Sequence, residues 1–210
     1  MVCKAATLYY VHDPMCSWCW GFAPVLADLL DKLPSSIQVK RLLGGLAVDT
    51  DEPMPQSMQK MLQETWRRIE HKIPGTHFNF DFWSNCAPRR ATYAACRAVI
   101  AARQQDNAFD ERMTKAIQRA YYQQARNPSD DETLLELAVE IGLDKERFTE
   151  DFYAQQTQQQ LQDEINRSRE LYAESFPSLV LQQDSSNWPV PIDYLDSAPM
   201  LSMIESISSG

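Results

Sequence analysis

The apolar positions along the chain change period several times, and each change marks an element. Ala6-Thr7-Leu8-Tyr9-Tyr10-Val11 is a short apolar run of strand-forming residues, which predicts a buried strand over about residues 5–12. Just beyond it, Trp20, Phe22, Val25, Leu26, Leu29 and Leu30 recur at helical spacing. They predict a helix from Cys16 to about Leu33, broken by Pro34-Ser35-Ser36. Ile37-Gln38-Val39-Lys40-Arg41-Leu42-Leu43 reads as a second strand, closed by a turn at Gly44-Gly45. A strand, a helix and a strand joined by so short a crossover predict a parallel pair.

From Pro55 to Ser175 the period is helical. Met58, Met61, Leu62 and Trp66 predict a helix over 55–71, ended near Pro74-Gly75. Phe78, Phe80, Phe82 and Trp83 follow closely, as a core plug or as one wall of a substrate groove. An Ala-rich helix is expected over 88–104 with Pro88 in its first turn, and another over 107–124. Ser129-Asp130-Asp131-Glu132 reads as a capped helix start and Gly142 as the matching C-cap. Asp144 caps the next helix, which carries Phe148 and Phe152. A polar helix follows from Gln155 to Glu174, its glutamines forming a solvated face. The strand signal returns at Phe176-Pro177-Ser178-Leu179-Val180-Leu181 and, after a turn, at Trp188-Pro189-Val190-Pro191-Ile192. Two prolines restrict that last strand to a sheet edge or make it irregular. Met200 to Ile207 closes the chain as a helix. The pattern is α/β, with the helices gathered between two groups of strands.

The 210 residues suit one domain, or one with an insertion. The net charge is −9 and no basic cluster stands out, so nucleic acid and anionic membrane surfaces are poor partners. No apolar run approaches the ~20 residues of a membrane span. Met1-Val2-Cys3-Lys4-Ala5-Ala6 has no secretory leader pattern, which points to the cytoplasm. Five cysteines, an odd number, argue against a structural disulfide framework. Cys86 and Cys96, if on one helix, stand ~15 Å apart, too far for the ~7 Å that a disulfide allows; buried free thiols are expected.

The chemistry concentrates in Cys16-Ser17-Trp18-Cys19, at the junction of strand and helix. The first sulfur there meets unpaired amide N–H groups and the positive end of the helix dipole. Both favour the thiolate, which is the nucleophile. The second thiol lies one turn inside and can close or resolve a disulfide. Two other readings use the same spacing: a zinc site and a pair of packed core cysteines. Zinc needs further ligands, and Cys3, Cys86, Cys96, His12, His71 and His77 are scattered singly. His12 and Asp13 beside the motif are candidates to relay a proton or tune the first thiol, or simply end the strand. Trp18 and Met15 are candidate substrate-facing residues, and Trp20 reads as core. Arg89-Arg90 reads as a solvated helix start or as a contact for an acidic ligand such as glutathione.

Asp13-Pro14-Met15-Cys16-Ser17-Trp18-Cys19-Trp20-Gly21-Phe22, the helical insertion and Phe176-Pro177-Ser178-Leu179-Val180 together resemble the DsbA-like branch of the thioredoxin superfamily. The flanking Asp-Pro and Trp-Gly-Phe resemble its cytosolic FrnE-like group most. The resemblance covers the whole chain. It implies a thioredoxin-like fold with a large all-helical insertion: 1–50 and 175–210 as the two parts of the core, 51–174 as the insertion. It implies that Cys16 attacks, that Cys19 resolves, and that Pro177 is a cis-proline facing the active-site disulfide. Phe176, its neighbour, would bind extended substrate through its backbone. Two features depart from the family. The buried acid usual on the first strand is replaced by Tyr10, so proton transfer from Cys19 falls to water, His12, Asp13 or another group. Ser-Trp stands between the cysteines without the histidine of the strong oxidants, which implies a lower reduction potential.

The expected function is therefore dithiol–disulfide exchange with protein or peptide thiols and disulfides, by oxidation, reduction or isomerisation. No cofactor is expected beyond the Cys16–Cys19 pair itself, with glutathione as an optional co-substrate. A glutathione-dependent transferase or isomerase of small aromatic compounds is the first alternative, and the intact cysteine pair counts against it. A redox-responsive binding protein or chaperone, using the helical insertion as a partner surface, is the second; zinc storage is the third. The insertion's exposed face would also support a homodimer.

Overall fold

A computed structural model describes residues 6–208. β1 (Ala6–His12), α1 (Ser17–Lys32) and β2 (Ile37–Leu43) form the expected unit, and β1 and β2 are parallel, Ala6 opposite Ile37 and His12 opposite Leu43. Six helices follow: α2 (Gln56–Lys72), the single-turn α3 (Phe82–Asn85), α4 (Tyr93–Gln105), α5 (Ala108–Tyr122), α6 (Asp131–Glu140) and α7 (Lys145–Tyr153). Then come α8 (Gln155–Glu170), β3 (Ser178–Gln183), β4 (Ser186–Val190) and α9 (Ala198–Ser208). The sheet order is β2-β1-β3-β4, with β3 antiparallel to both neighbours. β4 is an edge strand, where Pro189 removes no ladder bond from a second neighbour.

β1 is central, and almost every residue in it is buried, as a strand covered on both faces must be. Its alternation sends Leu8 and Tyr10 toward α1 and α9, where Phe22, Leu26, Leu29, Met200 and Ile204 pack. Tyr9 and Val11 face the other way, under Leu171 and Ala173 at the end of α8. The helices between the strands pack around their own centre, Trp66 of α2. Trp66 is stacked on Phe78 at 4.9 Å and met by Trp83 at 4.9 Å, Tyr121 at 5.5 Å, Tyr122 at 5.6 Å, Phe80 at 5.6 Å and Phe82 at 6.0 Å. The aromatic run after α2 is thus the core plug.

Two boundaries and one cap differ from expectation. α4 starts at Tyr93, not at Pro88. Residues 88–92 are drawn out instead: Arg89 bridges to Pro53, and its guanidinium holds the Ser129 carbonyl and, at 2.7 Å, the Asp130 carboxylate. Arg89 is therefore neither a solvated helix start nor an open anion contact. Asp144 caps α7 by accepting the Arg147 N–H at 2.8 Å, whereas Ser129 and Asp130 make no side-chain cap on α6. Ser129 gives its hydroxyl to the Ala91 carbonyl at 3.0 Å. α8 stops at Glu170 because Tyr172 turns to positive φ (58°) and leads the chain to β3.

Trp66→Ala removes the ring that six others share. It is expected to lower unfolding free energy by about 3–5 kcal/mol, read from urea unfolding.

Candidate active site

β1 ends at His12, and the chain turns through Asp13-Pro14-Met15 to Cys16, the N-cap residue of α1 (φ −82°, ψ 115°). The turn closes with the Cys16 N–H on the Asp13 carbonyl at 3.0 Å, and the helix opens with the Trp20 N–H on the Cys16 carbonyl at 3.1 Å. No acidic residue occupies the first turn of α1. The Cys16 sulfur thus lies at the positive end of the helix, where negative charge is favoured. Its thiol points at the Phe176 carbonyl, 3.4 Å away. The Phe176–Pro177 peptide is cis, and segments 160 residues apart in the chain meet at this sulfur.

Cys16 is 6% exposed and Cys19 is fully buried; both are free thiols. Burial pushes the Cys19 thiol well above its ordinary range, and its hydrogen bond to Cys16 and the charge there push it further. Cys19 is therefore the thiol that keeps its proton. Tyr10, at the position of the missing acid, is buried and hydrogen-bonded to Cys19. Burial, then the charges on Cys19 and Cys16, keep its phenol neutral.

His12 stacks on Tyr10 with ring centres 4.8 Å apart. It is fully buried, and among the described residues neither ring nitrogen has a hydrogen-bond partner. Burial, helped by Arg41 and Arg103, lowers its pKa to about 3, so it is uncharged at neutral pH. Asp13 is equally buried but fully engaged. Its Oδ1 accepts the Met15 N–H at 2.8 Å. Its Oδ2 accepts the Leu46 N–H and the Thr92 hydroxyl, both at 2.7 Å, and the Cys96 thiol at 3.5 Å. Burial raises its carboxyl above the usual range, and these donors oppose the rise. Met15, expected on the substrate-facing surface, is buried and packs in the helical core. Trp18 is half-buried beside Tyr194, ring centres 5.1 Å apart, with the Arg68 and Lys72 cations each 5.5 Å from its indole. Trp20 stacks on Tyr122.

Gly44-Gly45 is more than a turn. A Cβ on Gly44 would lie 2.0 Å from the Phe176 ring, so that ring is seated only because Gly44 has no side chain. Gly45 has φ +62°, and a Cβ there would meet Ile165 and Tyr93. Cys96 is buried on α4 as expected, but Cys86 is not: it ends α3 outside that helix and is only half-buried; Cys3 falls outside the described residues. Among the described residues no group of three or more His, Cys, Asp or Glu side chains gathers as a metal site, and no helix is long and apolar enough to cross a membrane.

The family model described as thioredoxin matches residues 9–197, nearly the whole chain. The chain belongs to the thioredoxin family. Among solved structures, it is similar to a putative protein disulfide isomerase from Nitrosomonas europaea, with 26% identity, 97% of each chain covered and a TM-score of 0.83. It is also similar to the cytosolic disulfide reductase DsbM from Pseudomonas aeruginosa, solved alone and with GSH. The identities are 26% and 25%, the TM-scores 0.71 and 0.69, and the coverage 97% of this chain with 95% and 96% of that one. A curated relative is the ClpXP adapter protein SpxH of Bacillus subtilis (strain 168), 23% identical over 195 residues. The match takes in 91% of this chain and 64% of that relative's length. The neighbours are DsbA-like oxidoreductases, in agreement with the resemblance read from the sequence.

Sequence reasoning missed Gly44, Thr92 and Tyr194. Each acts through a contact distant in sequence, and none carries a local motif.

Two outcomes are expected. Gly44→Ala displaces Phe176 from beside Cys16 and slows thiol exchange, measured as the rate of disulfide reduction. His12 binds a proton in the unfolded chain below pH 6.5 but in the fold only near 3, so stability falls as pH drops through that window. Between pH 7.5 and 5 the wild-type chain should lose about 2 kcal/mol relative to His12→Phe, measured by urea unfolding.

Proposed function

We propose that the protein is a thiol–disulfide oxidoreductase in which Cys16 attacks a substrate disulfide and Cys19 resolves the mixed disulfide. The observation that carries this reading is the Cys16 thiol at the mouth of α1, 3.4 Å from the Phe176 carbonyl across a cis-proline. A nucleophile needs a thiolate, which the helix end favours at Cys16, and a resolving thiol must hold its proton until the mixed disulfide forms. Cys16 and Cys19 divide these needs between them. An extended substrate strand would run beside Phe176 and Pro177, with Trp18 as its apolar wall.

Protein and small disulfides are both fitting substrates. Glutathione is favoured among the small ones because DsbM has been solved with GSH and because Arg68 and Lys72 stand over Trp18. Those cations suit glutathione's carboxylates. The cytosolic designation of DsbM supports a cytoplasmic workplace, where reduction is the favoured direction. A second reading, a redox-responsive adapter, is favoured by the SpxH relative. It predicts that Cys16→Ser retains partner binding.

Cys19→Ser removes the resolving sulfur. The variant is expected to accumulate mixed disulfides on Cys16 in cells, seen as bands that a reductant abolishes. A variant that traps nothing on Cys16 overturns the oxidoreductase reading.

A further inference from the structure

Cys19 has to lose a proton before it can attack, yet it is fully buried. The usual acid is replaced by Tyr10, whose hydroxyl stays protonated against the sulfur. Asp13 is saturated by four donors. His12, with a pKa of about 3, is a weak base. The other ionisable groups that face the thiol pair, Tyr122 on α5 and Tyr194 after β4, are phenols held neutral, first by burial.

On the side of Cys19 facing α5 there is a cavity of about 60 Å³. Its lining includes Cys19 and Tyr10, Leu26 and Ala23 of α1, and Thr114 and Gln118 of α5. Thr114 and Gln118 are buried, and the Thr114 hydroxyl has no hydrogen-bond partner among the described residues. A buried unpaired hydroxyl is costly, and water that bridges such a group to others is the common remedy. One water needs roughly 10–15 Å³ and two to four polar partners; the cavity has the volume, and Thr114, Gln118, Tyr10 and Cys19 in its lining carry polar groups that can serve. At the outer end stand Arg41, Glu111 and Lys115. Glu111 binds Arg41 at 3.0 Å and Lys115 at 2.6 Å, and its side chain is 46% exposed. Lys115, and then Arg41, hold its carboxyl below the usual range, so Glu111 fixes the mouth and is a poor base.

We propose that this cavity is the water-filled route by which the Cys19 proton reaches solvent, with Thr114 and Gln118 as positioning residues that hold its water. The proposal rests on the oxidoreductase reading and assigns its resolving step. The Cys19 S–H bond breaks, and the proton passes to cavity water and out past Glu111. The sulfur's electron pair forms the bond to Cys16. The bond between Cys16 and the substrate sulfur breaks, and the leaving thiolate takes a proton from solvent. Protons and electrons balance without another reactant. Resolution, and not the first attack, is the step that the cavity serves.

Reduced protein carrying Cys3→Ser and Cys86→Ser, with Cys96 fully buried, separates the two steps when mixed with dithiobis(nitrobenzoate), since each releases one coloured thiolate. Thr114→Val keeps the shape and removes the hydroxyl. It is expected to leave the first release unchanged, slow the second on the order of tenfold, below the 10²–10⁴ of a full general base, and move the second step's pH profile upward. Thr114→Ser is expected to restore the rate. Gln118→Met, the second variant, should likewise slow only the second release. The route is overturned if either variant, when folded, resolves at the wild-type rate across about pH 6–9 or slows both releases equally. The Cys3→Ser, Cys86→Ser parent releasing no colour at all sinks the oxidoreductase reading itself, a separate result.

Discussion

The buried carboxylate of Asp13 is the constraint on which the rest depends. A carboxylate taken out of water is costly unless donors surround it. Here the donors come from three places: Met15 in the turn before α1, Leu46 after β2, and Thr92 with Cys96 at the start of α4. Satisfying that one charge binds the motif turn, the end of the sheet and the helices into one arrangement. The Asp13 carbonyl meanwhile takes the Cys16 N–H, so the same residue sets where the helix begins and where the sulfur sits. The extended segment 88–92, which displaces the expected helix start, is what lets Thr92 reach that carboxylate.

Around this anchor the site is built from neutral groups. Tyr10, His12 and Cys19 are all buried and all held uncharged by burial. In a low-dielectric setting the helix end favours a charge on Cys16, with the Cys19 thiol and the Phe176 carbonyl, 3.4 Å away, beside it. Phe176 completes the site from the far end of the chain, and its place depends on the absence of a side chain at Gly44.

Much of this was legible in the sequence. The strand-to-helix change of period at Cys16, the edge strand marked by Pro189 and the caps at Gly142 and Asp144 are local signals, set by nearest-neighbour chemistry. The parallel pairing of β1 and β2 follows from chain length alone. The cis bond before Pro177 was readable only through family resemblance. What could not be read depends on distant contacts. Pro88 looked like a helix start because nothing local reveals that Arg89 would bind Asp130. Met15 reads as substrate-facing because it directly precedes Cys16, although the helical layer covers it. Thr114 and Gln118 appear as ordinary positions on an amphipathic helix until the fold brings them to Cys19.

The central claim is that position in the fold, and not exposure, makes Cys16 the reactive thiol. Cys86 is the more exposed sulfur. Its thiol is pushed up, first by partial burial and then by Asp130. Brief treatment of the reduced protein with iodoacetamide near neutral pH, followed by peptide mapping, tests this directly. The account predicts that label enters Cys16 well before Cys19, Cys86 or Cys96. Label entering Cys86 or Cys19 first contradicts it.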